Sequence, residues 1–122
     1  MDEIIGNEEY LYRGVVGSCW NFAENRPSSA AFKDSQGVSV DRDGGRSQDV
    51  CVKALLSKKV FYAVCRLTAG DARACDTVVK YLPVEGNDYH SEIHDSETRA
   101  QIKSPKKAKN LLSKTELSYS KG

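Results

Sequence analysis

The spacing of apolar and polar positions along this chain changes several times, and each change marks a short element. The run at 60–67 is the most apolar in the sequence, and its length and β-branched content predict a central strand. Residues 37–41 alternate apolar and polar side chains with a period of two, which indicates a half-buried strand. The remaining predicted strands lie at 10–16, 77–82 and 89–94.

Helical patterns are confined to short segments with recognisable ends. Ser47 is a favourable N-cap, and the apolar stripe that follows it predicts a helix down to Lys58. Thr68 and Asp71 have the spacing of a capping box, so we expect a second short helix over 69–75.

The C-terminal segment 98–119 is expected to be helical, with a break. Ser104 and Pro105 fit an N-cap followed by the first helical position, where proline lacks only an unused donor. Ala108 and Leu111 belong to a narrow apolar face behind this start.

Together these elements predict an α+β fold in a single compact domain. We expect a mainly antiparallel sheet of about five strands, two short helices and a C-terminal basic helix. Residues 1–9 are expected to be an acidic flexible lead-in, 10–97 the α+β domain, and 98–122 the basic helix or tail. The segment 28–32 is compatible with either a short helical turn or a strand.

Composition narrows the class of protein. The 122 residues carry a net charge of +1, which gives no overall field to attract nucleic acid or a membrane. The charge is divided, because residues 1–102 carry −4 and residues 103–122 carry +5. No apolar run reaches the roughly 18–20 residues of a membrane span, and the first residues are acidic, unlike a signal peptide. We therefore expect a cytoplasmic protein with no membrane partner.

The four cysteines form no close pair of metal ligands. Cys19, Cys51, Cys65 and Cys75 are widely spaced, and the last three lie in apolar surroundings. We expect reduced, buried thiols and predict no metal site.

The candidate catalytic residues are His90 and Glu92. On a strand, His90, Glu92 and His94 share one face, and the two histidines lie about 13 Å apart, too far to bind one ion. His90 and Glu92 remain candidates for an acid–base pair, and a partly exposed strand end is the alternative interpretation.

Arginines and small hydroxyl residues suggest a phosphate-binding or other ligand-binding site. Arg13 interrupts an otherwise apolar strand, where its charge needs a carboxylate, a phosphate or an exposed edge. Arg26, Ser28, Ser29 and Arg42 lie in polar loops that suit a phosphate pocket. Turn formation and helix capping would explain the serines without a ligand.

The tail supplies a second type of candidate site. Its lysines could neutralise phosphates of a nucleic acid, contact a protein partner, or form an ordinary solvated surface. Those assigned to this role are Lys103, Lys106, Lys107 and Lys109.

Several segments resemble a group of small stand-alone bacterial proteins of uncharacterised function. They include Leu-Tyr-Arg at 11–13, Arg-Pro-Ser-Ser-Ala-Ala-Phe at 26–32, Val-Ser-Val-Asp at 38–41, Leu-Thr-Ala-Gly at 67–70 and His-Ser-Glu at 90–92. The string at 26–32 is the most specific. The resemblance implies a bacterial or phage source and one compact domain, but no activity.

A weaker resemblance is to ADP-ribosyltransferase-type domains. These have a first-strand arginine or histidine, a serine or tyrosine motif in mid-chain and a late glutamate, and Arg13, Ser28 or Ser29, and Glu92 stand in that order. The resemblance implies that Arg13 would position NAD and that Glu92 would activate the acceptor.

Three functional hypotheses follow. The leading one is a non-catalytic protein-binding module, favoured by the lack of a strong catalytic motif and by the divided charge. The alternative is a nucleotide- or NAD-binding enzyme or sensor, and the third is sequence-independent nucleic-acid binding through the tail. The residues of the enzyme or sensor hypothesis are Arg13, Ser28, Ser29, His90 and Glu92. The sequence identifies no cofactor.

Overall fold

The computed structural model describes residues 4–121, which form an α+β domain around a six-stranded antiparallel sheet. The strands are β1 (Tyr10–Val15), β2 (Trp20–Asn21), β3 (Arg26–Pro27), β4 (Val38–Arg42), β5 (Ala63–Thr68), β6 (Val78–Tyr81), β7 (His90–His94) and β8 (Glu116–Ser120). The helices are α1 (Gln48–Leu56), α2 (Ala69–Ala74) and α3 (Pro105–Ser113), with 3₁₀ turns at Gly17–Cys19 and Ser29–Phe32.

The main sheet has the strand order β6-β7-β4-β1-β5-β8, and β2 and β3 form a separate two-stranded ribbon. β1 lies between β4 and β5, and its pairing with β5 runs from Tyr10–Thr68 to Val15–Ala63. Its pairing with β4 is much shorter, at Leu11–Arg42 and Tyr12–Asp41. β1 and β4 therefore separate beyond this point.

The two faces of the sheet are covered differently. The α3 face, with Leu11, Val15, Leu67 and Ile93, shares one apolar cluster with α2, α3 and the 3₁₀ turn Ser29–Phe32. The α1 face has a smaller cluster, in which α1 covers β1 and β5. Beyond α1, this face carries the polar side chains of β4 and β7, namely Ser39, Asp41, His90, Glu92 and His94.

The predicted helix starts are confirmed. The side chains of Ser47, Thr68 and Ser104 each accept a hydrogen bond from the backbone N–H three residues later. Each bond satisfies one donor that the first helical turn leaves free. Pro105 occupies the first turn of α3, as its missing N–H allows.

The end of the chain differs from the prediction. The helix predicted to reach residue 119 stops at Ser113, and residues 116–120 form β8 on the outer side of β5. In this position Leu117 is opposite Cys65 and Tyr119 is opposite Val64. Pairing with β5 outweighs helical periodicity here, and it adds a sixth strand to the sheet.

The lead-in also differs from the prediction over its described part. Ile5 is only 1% exposed, and Arg73 donates 2.6 Å hydrogen bonds to the Ile5 carbonyl and to Asn7 Oδ1. Residues 4–9 are thus tied to the domain, while residues 1–3 lie outside the described residues. The ambiguous segment at 28–32 forms a 3₁₀ turn.

The four cysteines are free thiols, and Cys51, Cys65 and Cys75 are buried as their apolar neighbours predict. Between residues 4 and 121, no helix has both the length and the apolar character required to cross a membrane.

Candidate binding site

A groove of about 720 Å³ lies between the β2–β3 ribbon and the C-terminal elements α3 and β8. We call it the α3 groove. Residues 21–29 form one side and Lys109 to Leu117 contribute to the other, with Cys65 between them. The complete lining comprises Asn21, Glu24, Asn25, Arg26, Pro27, Ser28, Ser29, Cys65, Lys109, Leu112, Ser113, Thr115 and Leu117.

Residues from two separately predicted sites line the groove. Arg26, Ser28 and Ser29 come from the predicted phosphate cluster, and Lys109 comes from the basic tail. The contact arises because α3 packs against the 3₁₀ turn through its buried residues Ala108 and Leu111.

The two serines do not have the structural role that turn chemistry suggests. Ser28 stands at the N-cap of the 3₁₀ turn, but its side chain makes no capping hydrogen bond. Neither Ser28 nor Ser29 has a side-chain hydrogen bond to another residue in the described part of the chain. Both hydroxyls are therefore available to a ligand in the groove.

The lysines of the tail divide into two classes. Lys107 points inward, and its Nζ lies 2.8 Å from Asp95 Oδ1 and 2.8 Å from the Asp76 carbonyl. Lys103, Lys106 and Lys109 are exposed. Of the four tail lysines predicted to bind a partner, these three are accessible, and Lys109 is the one that lines the groove.

The thiol in the groove is chemically quiet. Cys65 is fully buried, and burial raises the pKa of its thiol to about 12. Because the thiolate is the nucleophilic form of cysteine, this residue is unreactive near neutral pH.

The candidate catalytic residues lie on the opposite side of the sheet, on the α1 face. Glu92 Oε1 is 2.7 Å from His94 Nε2, and Glu92 Oε2 is 4.0 Å from His90 Nε2. His90 Nδ1 lies 2.8 Å from the Leu82 carbonyl, which accepts a hydrogen bond when that nitrogen is protonated. Glu92 thus lies between two imidazoles. A carboxylate beside an imidazole can orient the ring or exchange a proton with it.

Access to this trio is restricted, and no ion site is formed. A Cβ added to Gly37, whose φ is +100°, would lie 2.8 Å from His94 Cδ2, so the backbone passes close over the ring. Within residues 4–121, no group of three or more His, Cys, Asp or Glu residues is arranged to hold a metal ion. The α3 groove and the two smaller clefts described below are lined by other residues.

Arg13 is anchored inside the fold. Its Nε donates to the Ala31 carbonyl and its Nη1 to the Ser39 carbonyl, both at 2.9 Å. Burial lowers the pKa of this guanidinium, and the nearby carboxylate of Asp34 opposes that effect. Arg13 therefore bridges the gap where β1 and β4 separate.

The residues of the ADP-ribosyltransferase resemblance do not come together. Tyr12 pairs with Asp41, and Asp41 pairs with His90, so these three share the α1 face. Glu92 is two residues from His90 and shares that face, whereas Arg13 is next to Tyr12 and belongs to the α3 face. One NAD site cannot use Arg13 and Glu92 in this arrangement.

Arg42 is held by the N-terminal segment. Its Nε lies 2.6 Å from Glu9 Oε2, and the same carboxylate oxygen accepts a hydrogen bond from the Gly44 N–H at 2.9 Å. The guanidinium also stacks 4.7 Å from the centre of the Tyr81 ring. A cleft of about 330 Å³ adjoins these groups. Because the Glu9 carboxylate already pairs with Arg42, an anionic ligand would have to compete with it for the guanidinium.

Comparisons with known proteins give no further guide, because no family model matches the chain, and no curated protein or solved structure matches it either.

Sequence reasoning missed β8 and Leu117, and with them one wall of the groove. The signal was present, since Leu117 and Tyr119 alternate with polar residues as in a half-buried strand. This alternating pattern covers only five residues and follows directly after a helical pattern, so the segment was predicted to continue the helix.

Proposed function

We propose that this protein is a non-catalytic module that binds an extended, acidic segment of a partner protein in the α3 groove. The observation that carries the proposal is the groove itself. It combines two cationic side chains, two available serine hydroxyls and a terminal strand of the sheet.

The strand supplies the backbone part of such an interaction. β8 is an outermost strand of the main sheet and contributes Leu117, half of whose surface is exposed, to the groove. An extended peptide can add to such an edge through main-chain hydrogen bonds and place alternate side chains in the groove. Leu112 and Pro27 offer further apolar contact there.

The charges favour an acidic segment. Arg26 and Lys109 are the cations of the lining, and Glu24, which pairs with Arg26, is its one carboxylate. Lys106 extends the positive surface along the exposed side of α3. An acidic side chain would thus meet two cations and two hydroxyl donors.

A nucleic acid fits the groove less well. Proteins that bind single strands stack bases on aromatic rings, and the thirteen lining residues contain none. The enzyme or sensor alternative has less support still, because its residues are divided between two faces of the sheet.

The experiment is a selection from a displayed library of random extended peptides of about eight residues, a length that spans roughly 26 Å. We expect enrichment of sequences in which acidic and apolar residues alternate. Amide shifts in the protein's NMR spectrum should then concentrate on residues 26–29 and 115–119. Enrichment of basic peptides, or shifts centred on β6, would contradict the proposal.

Charge reversal gives the matched test. Lys109→Glu should weaken a selected peptide about tenfold, because it removes one attraction and adds a repulsion. Lys53→Glu changes an exposed lysine on α1, far from the groove, and should leave affinity unchanged. Point variants are preferred to deletion of 103–122, since that deletion would remove the buried residues of α3 and leave β5 paired only with β1.

A further inference from the structure

A third cavity, of about 330 Å³, lies beyond the point where β1 and β4 separate. We call it the Arg13 pocket. Its wall is formed by the end of β1, residues 30–34 and part of the segment between α1 and β5. The 3₁₀ turn contributes to both cavities, because Ser29 lines the α3 groove and Ala31 lines this pocket.

One arm of Arg13 in this pocket has no hydrogen bond. The guanidinium uses Nε and Nη1 to bind two carbonyls, whereas its Nη2 lies 3.9 Å from Asp34 Oδ2, beyond hydrogen-bonding distance. The side chain is only 16% exposed. This arm is not sealed from solvent, and an anion that entered the pocket would accept hydrogen bonds from it.

Two further cations line the pocket. Lys33 and Lys59 also line it, so three cations face the single carboxylate of Asp34. Lys33 forms no ion pair with any residue of the described chain. Lys59 lies 5.7 Å from the centre of the Phe61 ring, a weak contact that leaves its ammonium group available.

The position of Phe61 depends on the glycine below it. A Cβ on Gly14 would lie 2.5 Å from the Phe61 ring, so only glycine lets the ring rest on the strand. Phe61 and Gly14 both line the pocket. The cavity therefore combines a guanidinium held by two carbonyls, two exposed ammonium groups and an apolar wall.

We propose that the Arg13 pocket binds a phosphate group, either as the free ion or as a phosphate monoester. The guanidinium is pre-oriented by two carbonyls and presents a donor pair to a tetrahedral oxyanion. Lys33 and Lys59 add electrostatic attraction for the anion, which does not require a fixed hydrogen-bond geometry. The pocket is separate from the α3 groove and does not depend on the function proposed for it.

Asp34 sets the affinity of this site. Its carboxylate is close enough to Arg13 to repel an entering anion, but it is half-exposed and makes no hydrogen bond to the guanidinium. Phosphate binding therefore requires Asp34 to turn toward solvent. Asp34→Asn should strengthen phosphate binding about three- to tenfold by removing a like charge, a gain that a purely structural role would not produce.

The experiment titrates the full chain with inorganic phosphate at low ionic strength and follows backbone amide shifts by NMR. We expect saturable shifts at residues 13–16 and 31–34, strengthened in Asp34→Asn and weakened several-fold in Lys59→Gln. Lys53→Gln is the control, because Lys53 is an exposed lysine outside the pocket, and it should bind phosphate as the parent does. Weak shifts spread over all exposed lysines, or equal affinities for Asp34→Asn and the parent, would overturn the proposal.

Two further titrations identify the form of the ligand. Tighter binding of glycerol 3-phosphate than of inorganic phosphate would assign a monoester, because the apolar wall would then contact the carbon chain. Equal affinities would assign the free ion. Binding of chloride at the same concentrations with the same shifts would contradict a phosphate site.

Discussion

The two faces of the main sheet differ in where their polar groups lie. The α3 face is covered by helices and a 3₁₀ turn, and its binding features lie at the rim, where those elements meet strand ends. The α1 face is covered only over β1 and β5, and its polar groups lie on the strands themselves. A rim can form cavities of several hundred Å³, whereas the polar strands form hydrogen-bonded pairs among their own side chains.

The difference decides which polar groups are available to a ligand. On the α1 face, Asp41 is 3% exposed and accepts a hydrogen bond from Asn87, while Glu92 contacts His94. On the other side, Ser28 and Ser29 make no side-chain hydrogen bond among residues 4–121, and one arm of Arg13 has only the long ion pair with Asp34. The α3 groove therefore lies at the rim of the α3 face, and the Arg13 pocket lies at the end of β1, where residues of both faces line it.

The largest expected effect comes from shortening a core side chain on each face. Leu111 in α3 is fully buried, and Leu55 in α1 is 8% exposed. Leu111→Ala should lower the free energy of unfolding by about 3–4 kcal/mol, and Leu55→Ala by about 2 kcal/mol. Urea unfolding of both variants measures this, and an equal or larger loss for Leu55→Ala would reverse our ranking of the two faces.

Two neighbouring lysines on α3 provide the next test. Lys107→Met leaves Asp95 without its cation and should cost about 2 kcal/mol, since both side chains are mostly buried. Lys106→Met alters an exposed residue and should change the free energy of unfolding by less than about 0.5 kcal/mol. If thermal unfolding shows the same midpoint for both variants, the inward orientation of Lys107 is wrong.

A pair of glycines near the end of β1 tests the packing of the α1 face. Gly14→Ala forces the Phe61 ring to move and should cost about 1–2 kcal/mol. Gly17→Ala has no atom within 4 Å of the added methyl group and should be nearly neutral. Chemical denaturation of the two variants is the measurement, and a neutral Gly14→Ala would show that Phe61 lies elsewhere.

Local chemistry explains which of these features could be predicted from the sequence. The caps Ser47, Thr68 and Ser104 depend on a donor three residues away, so a short window of sequence suffices. The central strand and the antiparallel α+β class depend on apolar periodicity, which is also local. β8 has only a five-residue alternation as its local signal, and the edge of β5 that selects a strand there lies about fifty residues earlier in the chain.

The same distinction holds for the candidate sites. Arg26, Ser28 and Ser29 are contiguous and were recognised together, but Lys109 joins them only because α3 packs on the 3₁₀ turn. The sequence shows that Arg13 needs acceptors. It does not show that β1 and β4 separate at Arg13 and leave two carbonyls to receive it.

The smallest expected effect concerns the buried thiols, and it again separates the two faces. Burial raises the pKa of Cys65 on the α3 face to about 12, and it also raises that of Cys51 on the α1 face. A thiol whose folded pKa exceeds its unfolded value stabilises the protein fully below the unfolded pKa. That contribution is lost as the pH rises toward the folded pKa, because only the unfolded chain ionises.

The free energy of unfolding should therefore start to fall near pH 9, because the cysteines ionise in the unfolded chain. Cys65 should account for a loss of about 1 kcal/mol by pH 9.5, and Cys65→Ala should flatten the decline between pH 8 and 10 despite a constant packing cost. Cys51→Ala should flatten it less, since only the shift at Cys65 is large. Urea unfolding at several pH values gives both slopes. Cys51→Ala could instead flatten the decline more than Cys65→Ala. That result would mean that the thiol on the α1 face is the more deeply buried one, and that the α3 face does not exclude water better than the α1 face.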